Sequence, residues 1–218
     1  MCNRLLGPLH RPDGINSLFT PDSTSTFDGP LRERPVRWES MATFNPAAAV
    51  RDDSVYVLCR AEDRTGRMET GGHTSRLGLA ASADGLHFTR HPQPILSPRD
   101  GHFDAWLVEA GPPAVLTADG IVALYNAGNG RARGDASLPD STYSGGQALF
   151  SVEDPTRLLD RSDEPFITPE RDYERTGQYE RRTTFLEGLL PFRDRWFLYY
   201  GAADSRVGVA VSPPGSGP

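Results

Sequence analysis

"RWFLYYGAADSRVGVAV", residues 195–211, decides the fold. Bulky apolar residues run from Trp196 to Tyr200, and the chain then turns through Gly201-Ala-Ala-Asp204. Val207, Val209 and Val211 follow, alternating with small residues. Period-two alternation on either side of a short turn predicts two antiparallel strands. The acid in that turn, Asp204, has two readings: Asp is favoured in turns, and a hairpin end is also a place where a functional side chain can stand.

Working outward, the same pattern occurs twice more. "FNPAAAVRDDSVYVLCRAEDR" from Phe44, "EAGPPAVLTADGIVALYNAGN" from Glu109 and "FLEGLLPFRDRWFLYYGAADS" from Phe185 each hold a short apolar strand, a turn and a second apolar strand. The turns are Asp52-Asp53, Asp119-Gly120 and Arg193-Asp194. A third strand follows each hairpin: "SRLGLAAS" from Ser75, "SGGQALFS" from Ser144 and "SRVGVAVS" from Ser205. Outer strands come next in the first two units, "LHFTRHPQPIL" and "TRLLDRSDEPFI", but the third runs into "PPGSGP". The N-terminal "DGINSLFTP" resembles "QPILSP" and is expected to supply the absent strand. Serial four-stranded units predict an all-β, β-propeller-like fold in one domain over residues 1–218. Its three blades cover about 44–98, 105–168 and 183–212, the last completed by an N-terminal strand over 14–21. Helix is confined to the surroundings of "DPTRLLDRS", which Pro155 and Pro165 bracket.

Composition narrows the function. The net charge is −6 and no basic tract occurs, which argues against a nucleic-acid partner. All 23 basic residues are Arg; without Lys there is no Schiff-base chemistry and no P-loop lysine. Cys2 and Cys59 are too few for a disulfide framework and lack metal-ligand spacing. His102 has no second ligand at useful spacing, so no metal and no cofactor is expected. No stretch is long and apolar enough to span a membrane, and no leader is evident, so a cytoplasmic protein is the expectation.

Together, "FNPAAAV", "VLCRAEDRTG", "SRLGLAASADGLHF", "GPPAVL", "QALFSVEDPTRLLDRSDEPFI", "YERTG" and "YYGAADSRVGVAV" resemble glycoside hydrolase family 130. The resemblance implies a five-bladed propeller enzyme that acts on β-mannosides by phosphorolysis or hydrolysis. The chain departs from the family after "HPQPILSP", where two blades and the "EDPR" signature carrying the catalytic acid are expected. It passes instead from Pro98 to "RDGHFDAWLVEAGPP". The "EDPT" at Glu153 to Thr156 is a different element, so the acid is not carried over to Asp154.

Inverting hydrolysis uses an acid and a base about 6.5–9.5 Å apart. Glu109 and Glu187 stand at matching places in the second and third hairpins and are the candidate catalytic pair. By the resemblance, hydrolases of the family carry glutamates there, whereas phosphorylases carry a lysine near Glu109 and a histidine near Asn126. Asn45, Arg60, Asp63, Asp104, Asn126 and Asp204 are the candidate sugar-binding residues. The expected activity is hydrolysis of short β-manno-oligosaccharides with no assigned acid. The alternatives are an inactive carbohydrate-binding propeller and a β-mannoside phosphorylase. Three blades are few for a closed ring, so self-association is also expected.

Overall fold

The computed structural model of the chain describes residues 11–15, 17–29, 34–64, 74–130, 132–178 and 182–215. Its regular secondary structure is nearly all strand. A two-stranded sheet, β1 (Phe27–Gly29) and β2 (Arg34–Val36), precedes three larger units. Unit A holds β3 (Ala42–Arg51), β4 (Ser54–Asp63), β5 (Thr74–Ser82) and β6 (Thr89–Arg90). Unit B holds β7 (Leu107–Ala110), β8 (Val115–Leu116), β9 (Ile121–Gly128), β10 (Tyr143–Phe150) and β11 (Leu158–Arg161). After the single described helix, α1 (Asp172–Arg175), unit C holds β12 (Thr184–Phe192), β13 (Arg195–Ala202) and β14 (Arg206–Val211).

Within each unit the strands pair antiparallel in chain order. Between units the contact is much smaller. One parallel pair, Ser75 with Leu107, joins unit A to unit B, and one parallel bridge, Tyr143 to Thr183, joins B to C. The third strand of each unit therefore touches the first strand of the next at the same end, so those ends converge.

A glycine repeat explains the internal likeness of the units. Gly78, Gly146 and Gly208 pair with Cys59, Tyr125 and Tyr200 respectively. A Cβ on Gly146 would lie 2.2 Å from Tyr125 Cζ, and one on Gly208 would lie 2.3 Å from Tyr200 Cζ. Each tyrosine ring lies across the bare backbone of the neighbouring strand, an arrangement only glycine permits. In unit A the partner is the smaller Cys59, and the Trp38 ring fills the space over Gly78, 3.0 Å from an added Cβ.

This register also fixes which faces meet. Leu77 and Leu96 of unit A join Tyr125, Ala123 and Phe150 of unit B in one buried cluster. Leu124 and Ile167 of unit B pack against the cluster of Leu186, Leu198, Tyr200 and Ala202 in unit C. Burial of such side chains is worth about 1.5–3 kcal/mol each and dominates the stability of the stack.

The turns follow local rules. Ala203 and Asp204 have φ of 46° and 54°, and Ser205 N–H donates to Ala202 O at 3.0 Å. Two successive left-handed residues between paired strands make a type I′ hairpin turn, where Asp is tolerated. Arg193 and Asp194, with φ of 48° and 62°, do the same between β12 and β13.

The N-terminal segment departs from expectation. The strand expected over 14–21 to complete unit C is not seen beside β14 among the described residues. Phe19 meets Phe88 at 5.4 Å between ring centroids, Arg90 donates to Thr20 O, and Asp22 bridges to Glu39. This segment, with Phe27, Val36 and Trp38, lies on unit A and covers the outer face of its sheet. Phe19 is held there by the Phe88 ring and by the Arg90 guanidinium, 5.2 Å from its centroid. Among the described residues β14 has β13 as its one partner strand.

Replacing Gly146 or Gly208 with Ala will destabilise the fold by about 1–3 kcal/mol through overpacking against the tyrosine ring. Gly188→Ala, whose added Cβ meets nothing nearer than 3.5 Å, will stay within about 0.5 kcal/mol. Urea denaturation of the three variants checks the contrast, and equal costs would refute the glycine–tyrosine account.

Candidate functional site

The converging strand ends bring together a compact polar cluster. Arg60 stands near the end of β4, and Ser75, the second residue of β5, pairs with Glu62 two residues further along that strand. Arg60 Nε donates to Ser75 Oγ at 2.9 Å, and Nη2 donates to Glu62 Oε1 at 2.6 Å. Ser75 Oγ in turn donates to the same Glu62 oxygen at 2.8 Å. The remaining arm of the guanidinium, Nη1, crosses the A–B junction and donates to Glu109 Oε1 on β7. Tyr143, the first residue of β10, donates its hydroxyl to that same oxygen at 3.0 Å.

Aromatic rings wall the cluster. The Arg60 guanidinium lies 4.9 Å from the centroid of Phe44. Tyr143 meets Trp106 edge-on at 5.8 Å and Phe185 of unit C at 6.3 Å. All three units therefore contribute to the site. The alternating apolar and polar positions of β4, β7 and β10 turn these groups to one side, and aromatic walls with a few convergent polar groups suit a sugar ring.

The electrostatics are unusual in one respect. One guanidinium serves two carboxylates, and the Glu109 side chain is only 3% exposed. Burial raises the Glu109 pKa, with Arg60 and the Tyr143 hydrogen bond opposing and the neighbouring Glu62 reinforcing the rise. Burial, then the Glu109 charge, lifts the Tyr143 hydroxyl well above its ordinary value, so it remains a donor. Both donors bind Oε1, which leaves Oε2 as the oxygen of Glu109 without a bond from a described residue.

The other predicted residues fall into two groups. Asp63, Asp104 and Asn126 are buried in the framework, and their assignment to sugar binding is corrected. Asp63 pairs with Arg76, whose guanidinium lies over Phe27. Asp104 is fully buried and accepts from Arg99, Arg161 and the Tyr125 hydroxyl. Asn126 Oδ1 accepts from Leu186 N–H at 2.7 Å, and its Nδ2 donates to Leu186 O at 3.2 Å and Ala110 O at 3.3 Å. That amide stitches unit B to unit C. Buried polar groups bonded in this way hold the framework together. The exposed group comprises Asn45, Glu187 and Asp204. Asp204 sits at the tip of its hairpin, so the turn by itself accounts for the acid.

Glu109 and Glu187 are not at matching places. Glu109 pairs with Asn126, and Phe185 pairs with Gly201, the equivalent position after the glycine-marked tyrosine. Phe185 is therefore the counterpart of Glu109, as is Phe44 opposite Arg60. Glu187 lies two residues further on, in the bulge between Leu186 and Gly188. Asn45 lies in the corresponding bulge of β3, between Phe44 and Ala47, with φ of 49°. Bulges re-aim side chains near functional sites. Sequence reading missed Tyr143 because the segment before it is a Gly/Pro-rich loop without periodicity; its place three residues before Gly146, equivalent to Ser75 before Gly78, was the available signal.

"YERTG" is a structural clasp. The Glu174 carboxylate accepts from the N–H groups of Glu170 and Arg171 and from the Tyr200 hydroxyl, and Glu174 O receives Thr183 N–H at 2.8 Å. Among the described residues no group of His, Cys, Asp and Glu could hold a metal ion, and no helix is long and apolar enough to cross a membrane.

With this geometry established, the chain belongs to glycoside hydrolase family 130. The family's model, described as β-1,4-mannooligosaccharide phosphorylase, matches residues 67–214. Over 133 residues the chain is 31% identical to a 1,2-β-oligomannan phosphorylase of Thermoanaerobacter sp. (strain X514), covering 61% of this chain and 41% of that protein. A β-1,2-mannobiose phosphorylase of Listeria innocua is 31% identical over 129 residues, 59% of this chain and 33% of its own. The chain thus spans less than half the length of these curated relatives. A solved structure superposes with a TM-score of 0.55 at 29% identity, covering 98% of this chain and 96% of that one. Its description reads "the GH130 family of mannoside phosphorylases contains glycoside hydrolases that target β-1,2 mannosidic linkages in Candida mannan".

Two measurements check the site. Asn126→Ala removes three buried hydrogen bonds to backbone and will cost about 1–3 kcal/mol or more in urea denaturation; an unchanged midpoint would contradict its clasp role. Because the native Glu109 pKa lies above its unfolded value, its contribution to stability is complete below the unfolded value and is lost as pH rises through the native one. The stability of Glu109→Gln relative to wild type will therefore improve as pH rises from acid towards neutral. A gap independent of pH, in melts across that range, would show Glu109 to be unperturbed.

Proposed function

We propose that this chain binds β-mannosides, of the β-1,2-linked class named for its relatives, and cleaves them with water rather than phosphate. The observation that carries this reading is the charge balance of the cluster: Arg60, the guanidinium facing Glu109, is already bound by two buried carboxylates. A phosphate brought there meets a guanidinium already occupied by Glu62 and Glu109, and the Glu62 charge repels it.

The roles follow from environment. A carboxyl group whose pKa is raised by burial keeps its proton to a higher pH than an ordinary glutamate and can give it to a leaving oxygen. Glu109 fills that role, with Oε2 towards the sugar and Oε1 fixed by Arg60 and Tyr143. Glu187, exposed on the bulge of β12, activates water. Asp63 and Asp104, each locked to arginine, take no part. Phe44, Trp106 and Phe185 supply apolar surface for the sugar rings.

The 3% exposure of the Glu109 side chain favours one further reading, a carbohydrate-binding unit without turnover. Aryl β-mannosides of graded leaving-group ability separate the cases. Glu109→Gln will lose about 10²–10⁴ in rate on poor leaving groups and much less on good ones, the pattern of a lost general acid. Glu187→Gln will lose activity evenly across the series. Inorganic phosphate will leave the rate unchanged, and the product will be free mannose. Mannose 1-phosphate as product would overturn the hydrolytic reading, and sugar binding with no product would establish the binding-only one.

A further inference from the structure

Glu62 is the buried acid of the polar cluster to which the cleavage reading gives no role. Its place follows from strand geometry. It stands two residues after Arg60, so both side chains leave β4 on the same face. Across the sheet it pairs with Ser75 of β5. The Ser75 hydroxyl accepts from Arg60 Nε at 2.9 Å and donates to Glu62 Oε1 at 2.8 Å, which fixes that oxygen 2.6 Å from Arg60 Nη2. The side chain is nearly as buried as that of Glu109, at 6% exposure against 3%.

Each nitrogen of the guanidinium is thereby engaged: Nε with Ser75, Nη2 with Glu62 and Nη1 with Glu109. One positive charge serves two acids. With both ionised the cluster carries one negative charge in excess, and a proton on Glu109 removes it. Without the Glu62 charge, the guanidinium would act on Glu109 alone and favour its carboxylate form. Among the described residues, the charged and titratable groups that act on Glu109 are Arg60 and Glu62 of β4 and the Tyr143 hydroxyl of β10. The other neighbouring elements add no competing charge: β9 sets Asn126 opposite Glu109, unit C places Phe185 against Tyr143, and Arg76 of β5 is paired with Asp63.

We infer that Glu62 is a positioning residue for Glu109: it occupies Arg60, so that the guanidinium orients the Glu109 carboxyl through Nη1 without holding it ionised. Orientation and proton retention make opposite demands on a nearby cation, and a second acid on the same cation reconciles them. Ser75 serves the arrangement by pinning Glu62 to Nη2. The consequence for cleavage rests on the reading of Glu109 as the acid; the link between the two glutamates does not.

An NMR titration of the full chain, isotope-labelled at its glutamate carboxyls and read at Glu109, tests this. Glu62→Gln keeps an acceptor for Arg60 and Ser75 and removes the charge; it will lower the Glu109 midpoint by about one pH unit or more. Glu39→Gln, which removes a buried acid paired with Arg90 instead, will leave the midpoint where it is. The wild type gives a measurement that needs no variant: its Glu109 signal will show a second, smaller step where Glu62 titrates, because two acids on one cation titrate as a pair. An unmoved midpoint in Glu62→Gln, an equal shift in Glu39→Gln, or a single step in the wild type overturns the inference. The pH–rate profile on an aryl β-mannoside then separates it from the cleavage reading. The alkaline limb will move to lower pH in Glu62→Gln together with the Glu109 midpoint. A midpoint that moves while the limb stays, or that moves in a protein without turnover, supports the link between the glutamates and overturns the assignment of Glu109 as the acid.

Discussion

The bond from Arg60 to Glu109 is the constraint on which the site depends. It is a carboxylate–guanidinium link across the A–B junction, where, among the described residues, the strands contribute the single Ser75–Leu107 pair. Two carboxylates and a tyrosine hydroxyl are gathered around one guanidinium, and none of these groups is well solvated. Removing a buried ion from water costs several kcal/mol, so such a cluster persists only when each charge has its partner. The same arrangement that costs stability holds Glu109 in a dry, aromatic-walled position with a raised pKa. Stability and chemistry here have one origin.

The framework around this bond is redundant in a way the site is not. The glycine–tyrosine register repeats in units B and C, and the interunit clusters share one geometry. Asn126 and the Glu174 clasp then tie unit C to unit B at defined points. Ser75 and Tyr143 illustrate the difference. They occupy equivalent positions, yet one relays between Arg60 and Glu62 while the other donates to Glu109. Equivalent backbone places have taken on unlike chemistry, as is common when function is added to a repeated fold.

Much of the fold was legible in the sequence, and the site less so, for physical reasons. Period-two alternation and Gly/Asp turns mark each hairpin directly, so β3–β4, β12–β13 and β13–β14 were readable from local pattern alone. The N-terminal segment was misplaced because its short apolar run fits any uncovered sheet; only tertiary packing shows Phe19 against Phe88 and Arg90 of unit A. The pairing of Glu109 with Glu187 failed at the bulge in β12, because one extra residue moves a side chain to a different place and leaves no trace in composition. Asp63, Asp104 and Asn126 were drawn into the site because a polar residue after an apolar strand reads alike whether it faces solvent or a buried arginine. Arg60 and Glu109 meet because both lie at strand ends that the units bring together.

The claim that one arginine holds two buried acids is tested most directly by the stabilities of Arg60→Met, Glu109→Gln and the double variant in urea denaturation. Arg60→Met leaves Glu62 and Glu109 buried without their shared cation and should cost about 3–5 kcal/mol. Glu109→Gln leaves Arg60 paired with Glu62 and should cost much less. The double variant should recover part of the Arg60→Met loss, a coupling beyond the roughly 0.5 kcal/mol scatter of independent sites. Additive losses, or a mild effect of Arg60→Met, would contradict the account.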